Sequence, residues 1–149
     1  MALINTVFAA NISGEILKSI VYDSDYYIAG DVIANQPANT TIYTANVSDT
    51  GDTIYAFGGN IIARPLFTSV GSWNTLSITA NGVSTASFIS SLPNPTQVSI
   101  VLPSGLGSSH SGTSVTTGTF NLTTTVAGSY VVTFTAFPYQ TLTTTITAI

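Results

Sequence analysis

The chain has 149 residues, with two basic residues, six acidic residues and no cysteine, and its net charge is -4. This length suffices for one domain or two small ones that bury a core. The composition excludes disulfide bonds and thiolate zinc sites, and it argues against nucleic-acid binding because phosphates require a cluster of lysine and arginine.

Hydroxyl side chains take the place of the missing charges. Charged residues make up 5% of the chain, against about a quarter in ordinary soluble domains, whereas threonine occurs 25 times and serine 18 times. Threonine is β-branched, so it fits a pleated surface and weakens helices. The composition therefore favours strands, and no stretch approaches the ~20 consecutive apolar residues of a membrane-spanning helix.

The few charges are confined to the first part of the chain. Every Asp, Glu, Lys and Arg lies between Glu15 and Arg64, and the rest of the chain carries only His110 as a titratable side chain other than tyrosine. The chain thus consists of a charged part and an uncharged part.

The charged part contains five predicted strands, and turn-forming residues separate the later ones. The strands are predicted at residues 16–22, 26–33, 40–47, 53–57 and 61–67. Residues 49–52 and 58–60 are short enough to be hairpin loops. The apolar positions within residues 14–22 also fit one or two helical turns, which remains the alternative there.

The uncharged part begins with two predicted strands, residues 76–80 and 86–89, on either side of Asn81 and Gly82. An Asn-Gly pair between such strands indicates a hairpin or a corner. A further strand is predicted at residues 97–102, and the glycine- and serine-rich residues 103–112 are predicted to form a loop.

Period-two alternation is clearest near the end of the chain, where Tyr130, Val132 and Phe134 fall on one face. A strand at residues 130–135 is predicted to pair with residues 120–126 in a hairpin, and a last strand covers residues 141–149. Six or seven short strands with turns between them predict an antiparallel β-sandwich.

The predicted fold is therefore all-β in two regions. The turn at residues 69–72 and the loss of charge predict a β-rich N-terminal region at residues 1–72 and an immunoglobulin-like (Ig-like) sandwich at residues 73–149.

Groups for acid–base or metal chemistry are scarce, so the sequence predicts neither an enzyme nor a bound cofactor or metal. His110 with Ser108, Ser109 or Ser111 would have to act from one loop, which rarely holds a catalytic triad in place. Asp23, Asp25 and Asp31 alternate in a way that could present oxygens to a cation, but they match no calcium loop.

Aromatic residues are the remaining candidates for binding. Tyr26, Tyr27 and Trp73 could be exposed contacts on a partner or a sugar, although aromatic side chains more often fill a core or a subunit interface. Arg64, the last charged residue, is a further candidate contact.

The second half of the chain resembles the Ig-like modules of structural proteins from tailed bacteriophages. The resemblance lies in ITANGVSTA at residues 78–86, GTFNL at residues 118–122 and AGSYVVTF at residues 127–134. It implies a non-enzymatic virion protein, most simply a capsid cement or decoration protein that binds the major capsid protein or other virion proteins as a homo-oligomer. A tail or baseplate component and a carbohydrate- or host-binding module are the alternatives.

Overall fold

A computed structural model of the chain describes residues 4–23, 36–45, 51–90, 92–107, 110–115 and 118–149. These residues form thirteen strands and one short 3₁₀ helix, so the predicted all-β class is confirmed. None of the described helical segments is long and apolar enough to cross a membrane.

The chain divides into two compact units, Met1–Arg64 and Pro65–Ile149. The predicted boundary at residues 72 and 73 was thus placed too late, because the 3₁₀ helix Phe67–Ser69 and the strand Gly71–Trp73 belong to the second unit. The observed boundary directly follows Arg64, the last charged residue.

The first unit contains a three-stranded antiparallel sheet and a hairpin. The sheet consists of β1 (Ile4–Ala10), β2 (Ile16–Asp23) and β3 (Thr41–Ala45), with β1 in the centre. The hairpin consists of β4 (Ile54–Phe57) and β5 (Asn60–Ala63), which pair antiparallel around the predicted turn.

The structure decides between the alternatives left for residues 14–22, because β2 is a strand and not a helix. β1 was not predicted, since its sequence shows no clear alternation. The strand predicted at residues 61–67 ends at Ala63, and Phe67 lies in the 3₁₀ helix with its side chain buried. The strand predicted at residues 26–33 falls outside the described residues.

The turn between β1 and β2 packs directly on the hairpin. Gly14 has a φ of +89°, and its carbonyl oxygen accepts a 2.8 Å hydrogen bond from the N–H of Ala56 in β4. A Cβ atom at Gly14 would lie 2.0 Å from the carbonyl oxygen of Ala56. The close approach of these two backbones therefore requires glycine at this position.

The second unit consists of two sheets. The larger sheet has the strand order β10-β9-β12-β13-β7, and the smaller one has the order β11-β8-β6. The strands are β6 (Gly71–Trp73), β7 (Ser77–Ile78), β8 (Ala86–Ser90), β9 (Thr96–Val101), β10 (His110–Val115), β11 (Phe120–Leu122), β12 (Gly128–Thr135) and β13 (Leu142–Ala148). All pairs are antiparallel except β7 with β13, which is parallel.

An aromatic cluster centred on Phe134 joins the two sheets. Phe134 of β12 lies 5.2 Å from Phe88 of β8 and 5.5 Å from Phe120 of β11, measured between ring centroids. Tyr130 and Val132, which share its face of β12, are also buried, as their alternation predicted. The core of this unit therefore lies between the sheets, as in a sandwich.

The second unit is an Ig-like sandwich. In chain order, β6, β8 and β11 form the smaller sheet and β7, β9, β10, β12 and β13 form the larger one, so the chain crosses repeatedly between the sheets. Tyr130 stands near the start of β12, and its hydroxyl donates a 2.9 Å hydrogen bond to the carbonyl oxygen of Val126. A tyrosine that bonds back to the preceding connection in this way is the tyrosine corner of Ig-like domains.

Two local predictions in this unit were wrong. β11 and β12 do not form a hairpin, because β11 pairs with β8 in the smaller sheet and β12 pairs with β9 and β13 in the larger one. The loop predicted at residues 103–112 is also too long, since His110 begins β10. The Asn81 and Gly82 pair forms a corner between sheets, which was one of the two predicted alternatives.

Candidate interaction surfaces

Two of the ionisable candidates, His110 and Asp23, lie on strands that the structure describes. His110 lies at the start of β10 opposite Ile100, and Asp23 is the last residue of β2 opposite Ile4. Asp25, Asp31, Ser108 and Ser109 fall outside the described residues. No group of three or more His, Asp or Glu side chains that could hold a metal ion occurs among the described residues.

Arg64 is held by its own unit. Its Nη1 atom donates a 2.8 Å hydrogen bond to the carbonyl oxygen of Gly51, and its backbone N–H donates a 2.7 Å bond to the carbonyl oxygen of Thr53. The Arg64 side chain is half-buried, and its hydrogen bond ties the end of the hairpin to residue 51. A structural role of Arg64 within the unit is therefore directly visible.

Trp73 is half-buried at the edge of the core, and its role as a binding contact stays a prediction. Its ring stacks on Phe134 at 5.7 Å and 12°, and it meets Phe88 edge-on at 5.6 Å. Its Nε1 atom is buried without a hydrogen-bond partner among the described residues. Tyr26 and Tyr27, the other aromatic candidates, lie outside the described residues.

A lateral opening lies beside Trp73, between the edge strands of the two sheets. It is a cleft of about 280 Å³ between β6 and β13, and most of its surface is apolar. It is lined by Thr68, Gly71, Ser72, Trp73, Leu76, Phe88, Leu142 and Thr144. Leu76 is 53% exposed there, so an apolar side chain of this uncharged unit faces solvent at the opening.

A second cleft, the turn cleft, lies in the first unit between the β1–β2 turn and the β4–β5 turn. It has a volume of about 460 Å³ and includes Asn11, Tyr43 and Gly58 in its lining. Two apolar side chains at its rim are strongly exposed, Ile12 at 102% and Phe57 at 65%. The polar backbone of the turns and these apolar side chains together make a surface suited to a partner.

Sequence reasoning missed the turn cleft. An isoleucine in the turn segment Asn11-Ile12-Ser13-Gly14 and a phenylalanine directly before Gly58 were signals of exposed apolar side chains. The hydrogen bond between Gly14 and Ala56 brings these two turns together, and no sequence pattern predicts that contact.

Comparison of the chain with protein families and with curated proteins finds no match. Among solved structures, it is similar to a glycosyl hydrolase family 2 member from Bacteroides cellulosilyticus, with a TM-score of 0.35 and 15% sequence identity. The alignment covers 99% of this chain, which spans only 22% of the hydrolase chain. A similarity of this size supports no argument about function.

Proposed function

We propose that this chain is a non-enzymatic structural protein of a virion, a capsid cement or decoration protein that binds and stabilises a bacteriophage shell as a homo-oligomer. The proposal follows the resemblance of residues 78–86, 118–122 and 127–134 to Ig-like modules of phage structural proteins.

The observation that carries the proposal is that the charged residues end where the first structural unit ends. The Ig-like unit begins at Pro65, and from there to the end of the chain no Asp, Glu, Lys or Arg occurs. An isolated soluble protein normally keeps charge on its surface to prevent association. An uncharged, hydroxyl-rich surface suits a protein whose copies stand close together on a lattice, because it hydrogen-bonds water without repelling its neighbours.

The first unit supplies the contact with the shell in this proposal. It holds all the charged residues, and its turn cleft exposes Ile12 and Phe57 beside polar backbone. Interfaces combine apolar anchors with a polar rim in the same way, and aromatic anchors provide much of their binding energy.

The proposal is tested by measuring the copy number of the protein in purified virions by quantitative mass spectrometry. A cement protein is expected at a copy number that matches the many equivalent positions of the shell, and particles without it should lose their DNA at a lower temperature. One or a few copies per particle would instead indicate a tail or baseplate component. Absence from the particle would refute a virion role.

Binding to isolated shells tests the contact surface. Phe57→Ala is expected to weaken co-sedimentation with undecorated capsids at least tenfold, because it removes an exposed apolar anchor at the turn cleft. Val83→Ala is a matched control, since Val83 is 79% exposed but lies in the other unit. Equal binding by both variants would exclude the turn cleft as the contact.

A carbohydrate-binding module is the second candidate, and the turn cleft favours it because Tyr43 and Phe57 line it beside Asn11. Aromatic faces and amide groups are the partners that a neutral sugar needs. Glycan-array binding that disappears in Phe57→Ala, together with absence of the protein from virions, would favour this function over the first.

A further inference from the structure

The corner between β7 and β8 contains the single asparagine of the chain that is followed by glycine, Asn81. Asn81, Gly82 and Val83 are exposed, so the corner is in contact with water. Glycine has no Cβ atom, and its backbone nitrogen can therefore be approached closely by a neighbouring group. The side-chain amide of Asn81 and the backbone nitrogen of Gly82 are thus adjacent groups that can react with each other.

The reaction open to this pair is ring closure with loss of ammonia, which is unimolecular because both groups belong to one chain. The Gly82 nitrogen forms a bond to Cγ of Asn81, the bond between Cγ and Nδ2 breaks, and Nδ2 leaves as ammonia with the proton of the Gly82 N–H. Water then opens the resulting succinimide ring. Attack of water at Cγ gives aspartate, whereas attack at the main-chain carbonyl carbon gives isoaspartate, in which the chain continues through the side chain.

The folded corner fixes the side-chain carbonyl group of Asn81. Its Oδ1 atom accepts hydrogen bonds of 2.9 Å from the N–H of Val83 and 2.8 Å from the N–H of Ser84. The backbone N–H of Asn81 donates a 2.8 Å bond to the carbonyl oxygen of Thr79. Bonds of this kind restrict the rotation by which the side chain would bring Cγ onto the Gly82 nitrogen.

The reacting nitrogen is engaged as well. The Gly82 N–H donates a 3.0 Å hydrogen bond to the carbonyl oxygen of Thr124, which lies in the connection between β11 and β12. The nitrogen attacks only after it has lost its proton, and a hydrogen bond to a carbonyl oxygen keeps that proton in place. The contact with Thr124 therefore opposes the first step of the reaction as long as the corner is closed.

The side chain of Thr124 holds the segment that carries this carbonyl group. Its Oγ1 atom accepts a 3.0 Å hydrogen bond from the N–H of Val126 and lies 2.7 Å from the hydroxyl of Tyr130. The tyrosine corner and the Asn81 corner are thus linked through Thr124. Removal of the Thr124 hydroxyl loosens the acceptor of the Gly82 N–H without removing it.

We propose that Asn81 is a self-modification site, which is converted through a succinimide to aspartate and isoaspartate in those molecules whose corner has opened. The hydrogen bond from Gly82 to Thr124 sets the rate, because local opening has to precede the loss of the proton. The product places a carboxylate in a unit that has no Asp, Glu, Lys or Arg. Isoaspartate also lengthens the main chain by a carbon atom, so the corner cannot keep its present hydrogen bonds.

The rate of modification is measured on the full chain at mildly alkaline pH by peptide mass spectrometry, which resolves asparagine, aspartate and isoaspartate at position 81. In concentrated urea, where the corner is lost, Asn81 is expected to react as fast as it does in a free peptide of residues 78–86. In the folded chain, the rate is expected to be lower by about tenfold or more. Equal rates in the folded and unfolded chain, or no product at Asn81 in urea, would overturn the inference.

Thr124→Val tests the part played by the closed corner. Valine keeps the branched shape and the backbone carbonyl group but lacks the hydroxyl that holds the segment. We expect modification of Asn81 in the folded chain to become about threefold faster or more. Hydrogen exchange of the Gly82 amide should accelerate by the same factor, since both processes require the same opening. An unchanged rate of modification would contradict the proposed control by Thr124.

Thr123→Val is the matched control. It makes the same chemical change in the preceding residue, which is exposed and for whose hydroxyl no hydrogen bond is described within the ranges that the structure covers. Both rates are expected to stay at the values of the unmodified chain. Equal acceleration by Thr123→Val and Thr124→Val would refute the inference, because the bond to Thr124 would then not decide the rate.

Tyr130→Phe provides a second variant should Thr124→Val fail to fold. It removes the other partner of the Thr124 hydroxyl and leaves Thr124 itself in place. Modification of Asn81 is expected to be faster in this variant than in Tyr43→Phe, which makes the same change in the other unit. The same rate in both tyrosine variants would show that the link from Tyr130 through Thr124 does not protect Asn81.

Discussion

Among the described residues, polar side chains bond mainly to backbone groups, and many of these bonds lie in turns. The Oδ1 atom of Asn11 accepts hydrogen bonds from the N–H groups of Ser13 and Glu15, both at 3.0 Å. Asn81 accepts 2.9 and 2.8 Å bonds from Val83 and Ser84 in the same way. Such bonds fix a turn without charge, because asparagine oxygens imitate a backbone acceptor.

The buried Tyr130 places its hydroxyl group between two hydrogen-bond partners in the Ig-like unit. Its ring is 3% exposed, and its hydroxyl lies 2.9 Å from the carbonyl oxygen of Val126 and 2.7 Å from the Oγ1 atom of Thr124. We expect Tyr130→Phe to lower the free energy of unfolding by about 1–2 kcal/mol, because two part-buried partners lose their bond. Urea unfolding followed by circular dichroism measures this loss.

Tyr43→Phe is the control for this prediction. The Tyr43 side chain is half-buried, and no hydrogen bond of its hydroxyl is described within the ranges that the structure covers. Its change is expected to alter the free energy of unfolding by less than about 0.5 kcal/mol. Equal effects of both variants would mean that the tyrosine corner does not stabilise this unit.

At the scale of elements, a contact between a turn and a strand joins the sheet of the first unit to its hairpin. The β1–β2 turn reaches β4 through Gly14 and Ala56, and both residues are buried. Ala9, Ala10 and Ile54 are further buried apolar residues among those described in this unit. The turn contact therefore stabilises the unit and also shapes the turn cleft.

Gly14→Ala tests this contact. The new Cβ would meet the Ala56 carbonyl oxygen at 2.0 Å in a backbone conformation with a φ of +89°, so the turn must move away from β4. We expect a loss of about 3 kcal/mol or more in the free energy of unfolding of the first unit, from strain and the lost hydrogen bond together. Hydrogen exchange of the Ala56 amide measures the local effect.

Gly58→Ala is the matched control. Gly58 also has a positive φ, +58°, but a Cβ there would meet no atom within 4 Å. Only the conformational cost of about 1 kcal/mol remains. An equal loss in the free energy of unfolding for both variants would mean that the close approach of the turn to β4 does not stabilise the first unit.

At the scale of the whole molecule, the division after Arg64 separates two cores. Phe67 is 2% exposed and lies 5.2 Å from Tyr139 and 6.0 Å from Phe134, so it belongs to the core of the Ig-like unit. A unit that began at residue 73 would lack Phe67 and nearly all of β6. The position of the boundary thus determines whether the core of the sandwich is complete.

Two fragments of the chain test this boundary. Residues 65–149 are expected to fold cooperatively on their own, whereas residues 73–149 should lose about 3–5 kcal/mol for the missing phenylalanine alone. That loss approaches the whole stability of a small domain, so the shorter fragment should be largely unfolded at 25 °C. Thermal unfolding and the dispersion of amide NMR signals compare the two, and equal stability would contradict the observed boundary.

The sequence predicted those strands whose side chains alternate between core and solvent. In β12 and β13, Thr135, Thr145 and Thr147 are exposed while Tyr130, Phe134 and Ile146 are buried, and this alternation is visible in the sequence. It failed for β6, which has only three residues, because alternation cannot be recognised over so short a stretch. It also failed to find the turn cleft, which depends on a contact between Gly14 and Ala56.

The sequence by itself determined that this protein is all-β, poor in charge and divided into a charged and an uncharged part, because residue types fix strand preference and charge locally. The tertiary structure decided which strands are neighbours, and thereby that β11 and β12 lie in different sheets and that Trp73 packs against Phe134. Strand pairing joins residues far apart in the chain, and the free energy of those pairs depends on the whole fold and not on any local pattern.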